Sequence, residues 1–149
     1  MPMIVRNCAG GVVFNGNKVF ILKNEKNEWV LPKGKIRNGF LAQETAIERV
    51  NAECGVDAVI VSTGGETSYE FYSFTRQMPV YNKITWYIME SYSDEYHVNK
   101  EQGFKDGGFF NIKEAIDKIT YSQDKSLVTL SYKKYLVLKE IENLENIYV

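Results

Sequence analysis

The 149-residue chain carries 18 basic and 19 acidic side chains, a formal net charge of -1, so it has no charge excess with which to coat nucleic acid or a membrane surface. Its length predicts one domain, residues 1–149, with a sizeable buried core. Two cysteines, Cys8 and Cys54, make neither a disulfide framework nor a zinc-ligand spacing, and no signal-like or membrane-length apolar run occurs. A cytoplasmic chain without a membrane partner is expected.

Met3 to Phe14 reads as a strand, with Gly10-Gly11 allowing a bend or a close backbone approach. Asn15-Gly16-Asn17 is a tight-turn signal, and Lys18 to Leu22 is the returning strand. Asn24 to Asn27 is a polar connector into the short apolar run Trp29-Val30-Leu31, which turns at Pro32-Lys33-Gly34. A polar loop with a second glycine, Gly39, leads into a helical run over 41–54 that Gly55 stops. On a helical wheel Ala46, Ile47, Val50 and Cys54 share one side, which should pack inward. Thr45, Arg49, Ala52 and Glu53 share another, with Glu44 and Glu48 beside them; by periodicity alone this is a solvated charged face. A strand, a glycine-rich loop and a helix in sequence is also a common way to present backbone and charge to a phosphate.

Beyond the helix, Ala58 to Ser62 is β-rich and Glu66 to Phe74 alternates aromatic and polar residues. Tyr81-Asn82-Lys83 leads into a strand from Ile84 to Met89, whose Trp86 and Tyr87 are read as core or cross-strand aromatics. Residues 93 to 108 are polar and include Glu95, Glu101 and Asp106. His97, the only histidine, lies in this polar loop, so no histidine-based nucleophile system or metal cluster is expected. Gly107-Gly108 then gives way to the run from Phe109 to Ala115. Ser122 to Asn146 is mainly helical, with Leu127, Leu130, Tyr135, Leu136 and Leu138 as its packing face and Tyr121 just ahead. Repeated strands with two convincing helical regions predict an α/β sandwich around a mixed sheet.

The stretch Trp29–Val56 resembles the Nudix box: a Gly, five residues, a Glu, seven residues, then Arg-Glu-aliphatic-x-Glu-Glu-x-Gly-aliphatic. Gly34 fixes one end of the register and Gly55-Val56 the other. Leu31-Pro32-Lys33-Gly34 is similar to the lead-in of family members that cleave dinucleoside polyphosphates and related compounds. The resemblance implies a Nudix fold, a mixed β-sheet sandwiched between α-helices. It also implies magnesium or manganese held against a pyrophosphate, and a nucleotide-like small-molecule ligand. A homo-oligomer is compatible with the sequence.

Three departures bear on the chemistry. Phe40 stands at the loop Glu, Glu48-Arg49 at Arg-Glu with the pair swapped, and Ala52-Glu53 at Glu-Glu. The resemblance therefore makes Glu53 the remaining catalytic and metal-binding carboxylate. Glu48, Glu44 or Glu101 would substitute for the lost groups, Glu48 in catalysis and Glu101 at the metal. It implies a base stacked on Tyr121, which could instead pack against the sheet. Lys33 and Arg37, with Gly34, would meet phosphate oxygens or stand in solvent, and Arg49 would be a fixed cation for a phosphate in a binding module. Phe40 is expected to pack, and an Arg49–Glu53 pair on an exposed face would contribute only a few tenths of a kcal/mol. Two functions follow. One is a pyrophosphohydrolase of weak or altered activity, acting on a nucleoside diphosphate linked to another moiety. The other is a module that binds a nucleotide or other phosphate ligand with no metal and no cleavage.

Overall fold

Cys8 through Phe14 are buried along their whole length, which is the pattern of a central strand covered on both faces. The computed structural model describes residues 2–148, with the backbone alone at Tyr148, and places this run in β1 (Ile4–Asn15). β1 turns at Gly16-Asn17 into β2 (Lys18–Lys23), pairing Phe14 with Val19 and Asn15 with Lys18. β3 (Trp29–Val30) and β4 (Lys33–Lys35) follow, then helix α1 (Ala42–Cys54). The chain continues through β5 (Val59–Ser73), β6 (Met78–Glu90), a 3-10 turn at Lys100–Gln102 and β7 (Asp106–Asn111). Two helices, α2 (Ile112–Lys118) and α3 (Ser122–Tyr148), complete it.

The strands form one mixed sheet in the order β3-β2-β1-β6-β5, with β4 added to β1 and β7 to β2. β1 and β6 run parallel over eleven registered pairs from Ile4–Val80 to Phe14–Glu90, and the other pairings are antiparallel. Alternation along β1 divides the core into two layers. Cys8, Val12 and Phe14 pack with Leu31, Ile84, Trp86 and Ile88 under α2 and α3. Ala9 and Val13 pack with Phe20, Leu22 and Met89 under α1. The sheet is thus sandwiched between helices, as the α/β reading expects. No helix of the described residues is long and apolar enough to cross a membrane.

Several local expectations are corrected. β5 is one strand from Val59 to Ser73, not two; register shifts between Ile60 and Ser62 and between Thr63 and Gly65 let it continue past Gly64-Gly65. β6 begins at Met78, so Tyr81-Asn82-Lys83 lies within the strand, where parallel pairing to β1 holds it. Ile47 and Phe40 are exposed, whereas Thr45 and Glu53 are buried. The reason is that α1 packs on β4 as well as on β1, which rolls its buried arc toward Glu53 and turns Ile47 out. In α3 the inward residues are Leu127, Val128, Ser131 and Tyr135, while Leu130 and Leu136 face solvent. Tyr135 fixes that rotation: its hydroxyl donates to the buried Glu90 carboxylate, which also holds Lys139 Nζ at 3.1 Å.

Gly55 ends α1 in the left-handed conformation (φ 64), its N–H donating to Asn51 O. A Cβ there would also stand 2.6 Å from the His97 backbone nitrogen. That close approach lets the 97–99 segment bind the helix end, with His97 N–H donating to Cys54 O and Asn99 N–H to Glu53 O. Gly55→Ala should therefore lose the left-handed backbone cost of about 1–2 kcal/mol and a steric cost besides. Urea denaturation should show a larger loss than for Gly39→Ala (φ +88), where an added methyl meets nothing within 4 Å.

Candidate functional site

The loop after β3 brings the box residues to the sheet surface. β4 pairs with β1, setting Lys35 opposite Cys8, Gly34 opposite Ala9 and Lys33 opposite Gly10. At Gly34 the backbone is bare, and the Arg49 side chain crosses directly over it; a Cβ there would lie 2.7 Å from Arg49 Cδ. Crossing Gly34 carries the guanidinium to Glu53. Arg49 Nε and Nη2 each lie 2.9 Å from Glu53 Oε2, and Nη2 also donates to Gln102 Oε1 in the 3-10 turn. Glu48 Oε1 stands 3.7 Å from Nη1. With side-chain exposures of 16% for Arg49 and 4% for Glu53, this is a mostly desolvated pair and not the solvated one expected from the wheel.

Burial drives the Glu53 carboxyl up from 4.5 to about 7, against the opposing pull of Arg49, Lys33 and the Lys33 backbone N–H. The adjacent Cys54 thiol is likewise pushed well up by burial.

Glu53 forms part of the wall of a cleft of about 780 Å³. Lys33, Val30 and Leu31 line it from the box side, Thr67, Tyr69 and Phe71 from β5, and Glu28, Tyr121 and Asp124 from the opposite rim. Two backbone ties build that rim. Trp29 N–H donates to Thr120 Oγ1 and Thr120 N–H to Trp29 O, which sets the start of α3 against β3. Asn24 Oδ1 accepts from the N–H groups of Lys26 and Glu28, folding the connector into a side-chain turn. Tyr121 OH donates to Glu28 Oε2, and Asn24 Nδ2 to Glu28 Oε1 at 3.1 Å. These two hydrogen bonds hold the Glu28 carboxyl below its ordinary range, and the Glu28 bond pushes Tyr121 up to about 12.

Lys33 is central to the electrostatics. Its ammonium lies 5.8 Å from the Tyr69 ring centroid. It also opposes the rise that burial imposes on the Asp124 carboxyl. Trp86 Nε1 donates to Thr67 Oγ1 at 2.7 Å, so the buried indole is satisfied and Thr67 is fixed in the cleft floor.

The structure brings Glu53, Lys33 and Tyr121 into one cleft. Gly34 lies beneath Arg49, and Arg49 faces Glu53 and Gln102 without lining the cleft. Glu48 is exposed at the outer edge of the pair, and Arg37 is exposed in the loop before α1. Glu101 is exposed in the 3-10 turn, where its N–H donates to Asn99 Oδ1, and it is its neighbour Gln102 that reaches Arg49. Sequence reasoning missed Glu28, Gln102 and Asp124. The available signals were the side-chain turn at Asn24 and the acidic residue in the first turn of α3, and neither points to a cleft.

The divalent metal that the box resemblance implies needs several oxygen ligands around one point. Among the described residues no three His, Cys, Asp or Glu side chains gather to hold an ion. Phe40 and Ala52 offer no donor, and the Glu53 oxygen that would serve is taken by two Arg49 nitrogens. These residues do not fit a resident magnesium or manganese cluster.

The family model described as the NUDIX domain matches residues 5–130. Among solved structures, an Ap4A hydrolase from C. elegans in a binary complex is 16% identical, with 89% of this chain and 98% of that chain covered at a TM-score of 0.66. The dihydroneopterin triphosphate pyrophosphohydrolase of E. coli is 11% identical, with 84% and 94% covered at a TM-score of 0.69. An ADP-ribose pyrophosphatase from Streptococcus suis is 12% identical, with 87% and 91% covered at a TM-score of 0.66. At these identities the likeness is one of fold.

The buried pair has a signed consequence for stability. Between pH 4.5 and about 7 the native chain keeps a proton on Glu53 that the unfolded chain has released, so this group lowers stability as pH rises through that window. Arg49→Ala should deepen the decline, because the carboxylate then ionises without a partner. A loss of about 2–4 kcal/mol is expected at pH 8, against about 1 kcal/mol or less at pH 5. Glu53→Gln should flatten the pH dependence, as measured by urea denaturation across the range.

Proposed function

This chain belongs to the Nudix family, and we propose that it binds a nucleoside diphosphate linked to another moiety, with weak or absent cleavage of the pyrophosphate. The observation that carries this reading is the Arg49 fork on Glu53. It occupies the one box carboxylate left in the cleft and replaces a resident metal with a covalently tethered cation. In this reading Lys33 supplies the mobile charge for a phosphate, from the cleft side of the same loop. Tyr69, Phe71 and Tyr121 supply aromatic surface for a base. Glu28 and Asp124 on the rim accept hydrogen bonds from ribose hydroxyls or a base amino group. The pair itself is nearly neutral when Glu53 is ionised, so Arg49 acts by holding Glu53 and Gln102 in place.

One observation favours the second reading, a pyrophosphohydrolase with an altered carboxylate set. Glu25, Glu28, Glu53, Glu70 and Asp124 line the cleft against Lys26 and Lys33, an excess of acid unusual for an anion site. Ap4A, ADP-ribose and dihydroneopterin triphosphate, the compounds for which the fold relatives are named, form the test panel. Calorimetry in EDTA should show binding of at least one of them, and Lys33→Ala should weaken it about tenfold or more with little change in melting temperature. Product analysis with magnesium or manganese should show little turnover. Turnover abolished by Glu70→Gln or Asp124→Asn would favour the hydrolase instead.

A further inference from the structure

α3 carries a second apolar stripe that the body of the protein leaves uncovered. Its inward face is Leu127, Val128, Ser131 and Tyr135. Roughly a third of a turn away on the wheel lie Leu130, Val137, Ile141 and Leu144, exposed to 65%, 54%, 48% and 49%. Their spacings of seven, four and three residues are those of a coiled-coil seam, with Lys134 at its edge between Leu130 and Val137. Lys134 Nζ reaches Thr63 O at 2.9 Å, which sets the seam beside the outer edge of β5, where Val59 and Val61 are also exposed.

Two further observations say what covers it. From Glu140 to Ile147 every residue is exposed, so the last two turns of this 27-residue helix run without support from the sheet. Helical segments of that length are marginal in water unless an apolar face is packed. The charges beside the seam are segregated along the axis: Lys133 and Lys134 lie toward its beginning, Glu140 and Glu145 toward its end. Parallel helices would set like charges side by side. Antiparallel helices set each lysine pair against the other copy's glutamates, and flanking charges of this kind select partner and direction.

We infer that α3 is the interface of a two-fold homodimer, in which the Leu130–Leu144 seams of two copies pack antiparallel. The interface is self-complementary, as two-fold symmetry requires. The cleft takes Ser122, Gln123 and Asp124 from the start of α3 and none of the seam residues, so the interface is independent of the ligand reading above.

Light scattering of the full chain after gel filtration, at tens of micromolar, should give the mass of a dimer. Ile141→Glu with Leu144→Glu should give a monomer whose melting transition remains cooperative, since both side chains are exposed in the protomer. For direction, Leu130→Cys and Leu144→Cys chains should form a mixed disulfide when combined under mild oxidation, and little homodisulfide when each is oxidised alone. A monomeric parent overturns the proposal, as does a dimer that survives the double glutamate variant. Homodisulfides from each cysteine variant alone, with none from the mixture, would mean parallel helices and overturn it too.

Discussion

The Glu53 carboxyl is the constraint on which the site depends. The Glu53 carboxyl is buried, and burial lifts it from 4.5 to about 7 against the pull of Arg49 and Lys33. A cation has to meet it. Arg49 does so one helical turn earlier, and it can lie flat only because residue 34 has no side chain. Gly34, Arg49 and Glu53 therefore form one mechanical unit. Gln102 extends it to the 3-10 turn, and the Asn99 and His97 backbone bonds anchor that turn to the end of α1.

Among the described residues no three carboxylates gather at the box, and the fold does not depend on such a cluster. Fold and helix placement come from Val50 and Cys54 packing on the sheet and from the glycine stop at 55, none of which involves metal. The box positions are a separate set of residues: Phe40 in the loop before α1, and Arg49, Ala52 and Glu53 on the helix. What lines the cleft is Lys26 and Lys33, several aromatic faces and an acidic rim.

The two ends of the molecule are organised by different physics. At the cleft, segments 24–28, 33–34, 67–71 and 121–124 meet through backbone bonds and short side-chain turns, which hold polar groups in fixed positions. At the far side, the Tyr135–Glu90–Lys139 contact locks the rotation of α3. That lock points Leu127 and Val128 into the core and leaves Leu130 and Ile141 outward. One buried glutamate thus decides which of two apolar stripes on a single helix belongs to the fold.

By itself the sequence determined the hairpin at Gly16, the helix stop at Gly55 and the place of the box between a short strand and a helix. Each follows from local spacing: a strand alternates by two, a helix by nearly four, and glycine takes a left-handed backbone cheaply. It also determined that the usual carboxylates are missing, since Phe40, Arg49 and Ala52 are read directly. Only the tertiary structure decided that Ile47 turns out while Glu53 turns in, and that Leu136 is exposed while Val128 is buried. Two apolar arcs on one helix are equivalent until a sheet chooses between them. Likewise, Glu28, Lys33, Glu53 and Asp124 become one site only when chain segments almost a hundred residues apart meet. A charge's partner and its surrounding dielectric are set by that meeting, and no local pattern encodes them.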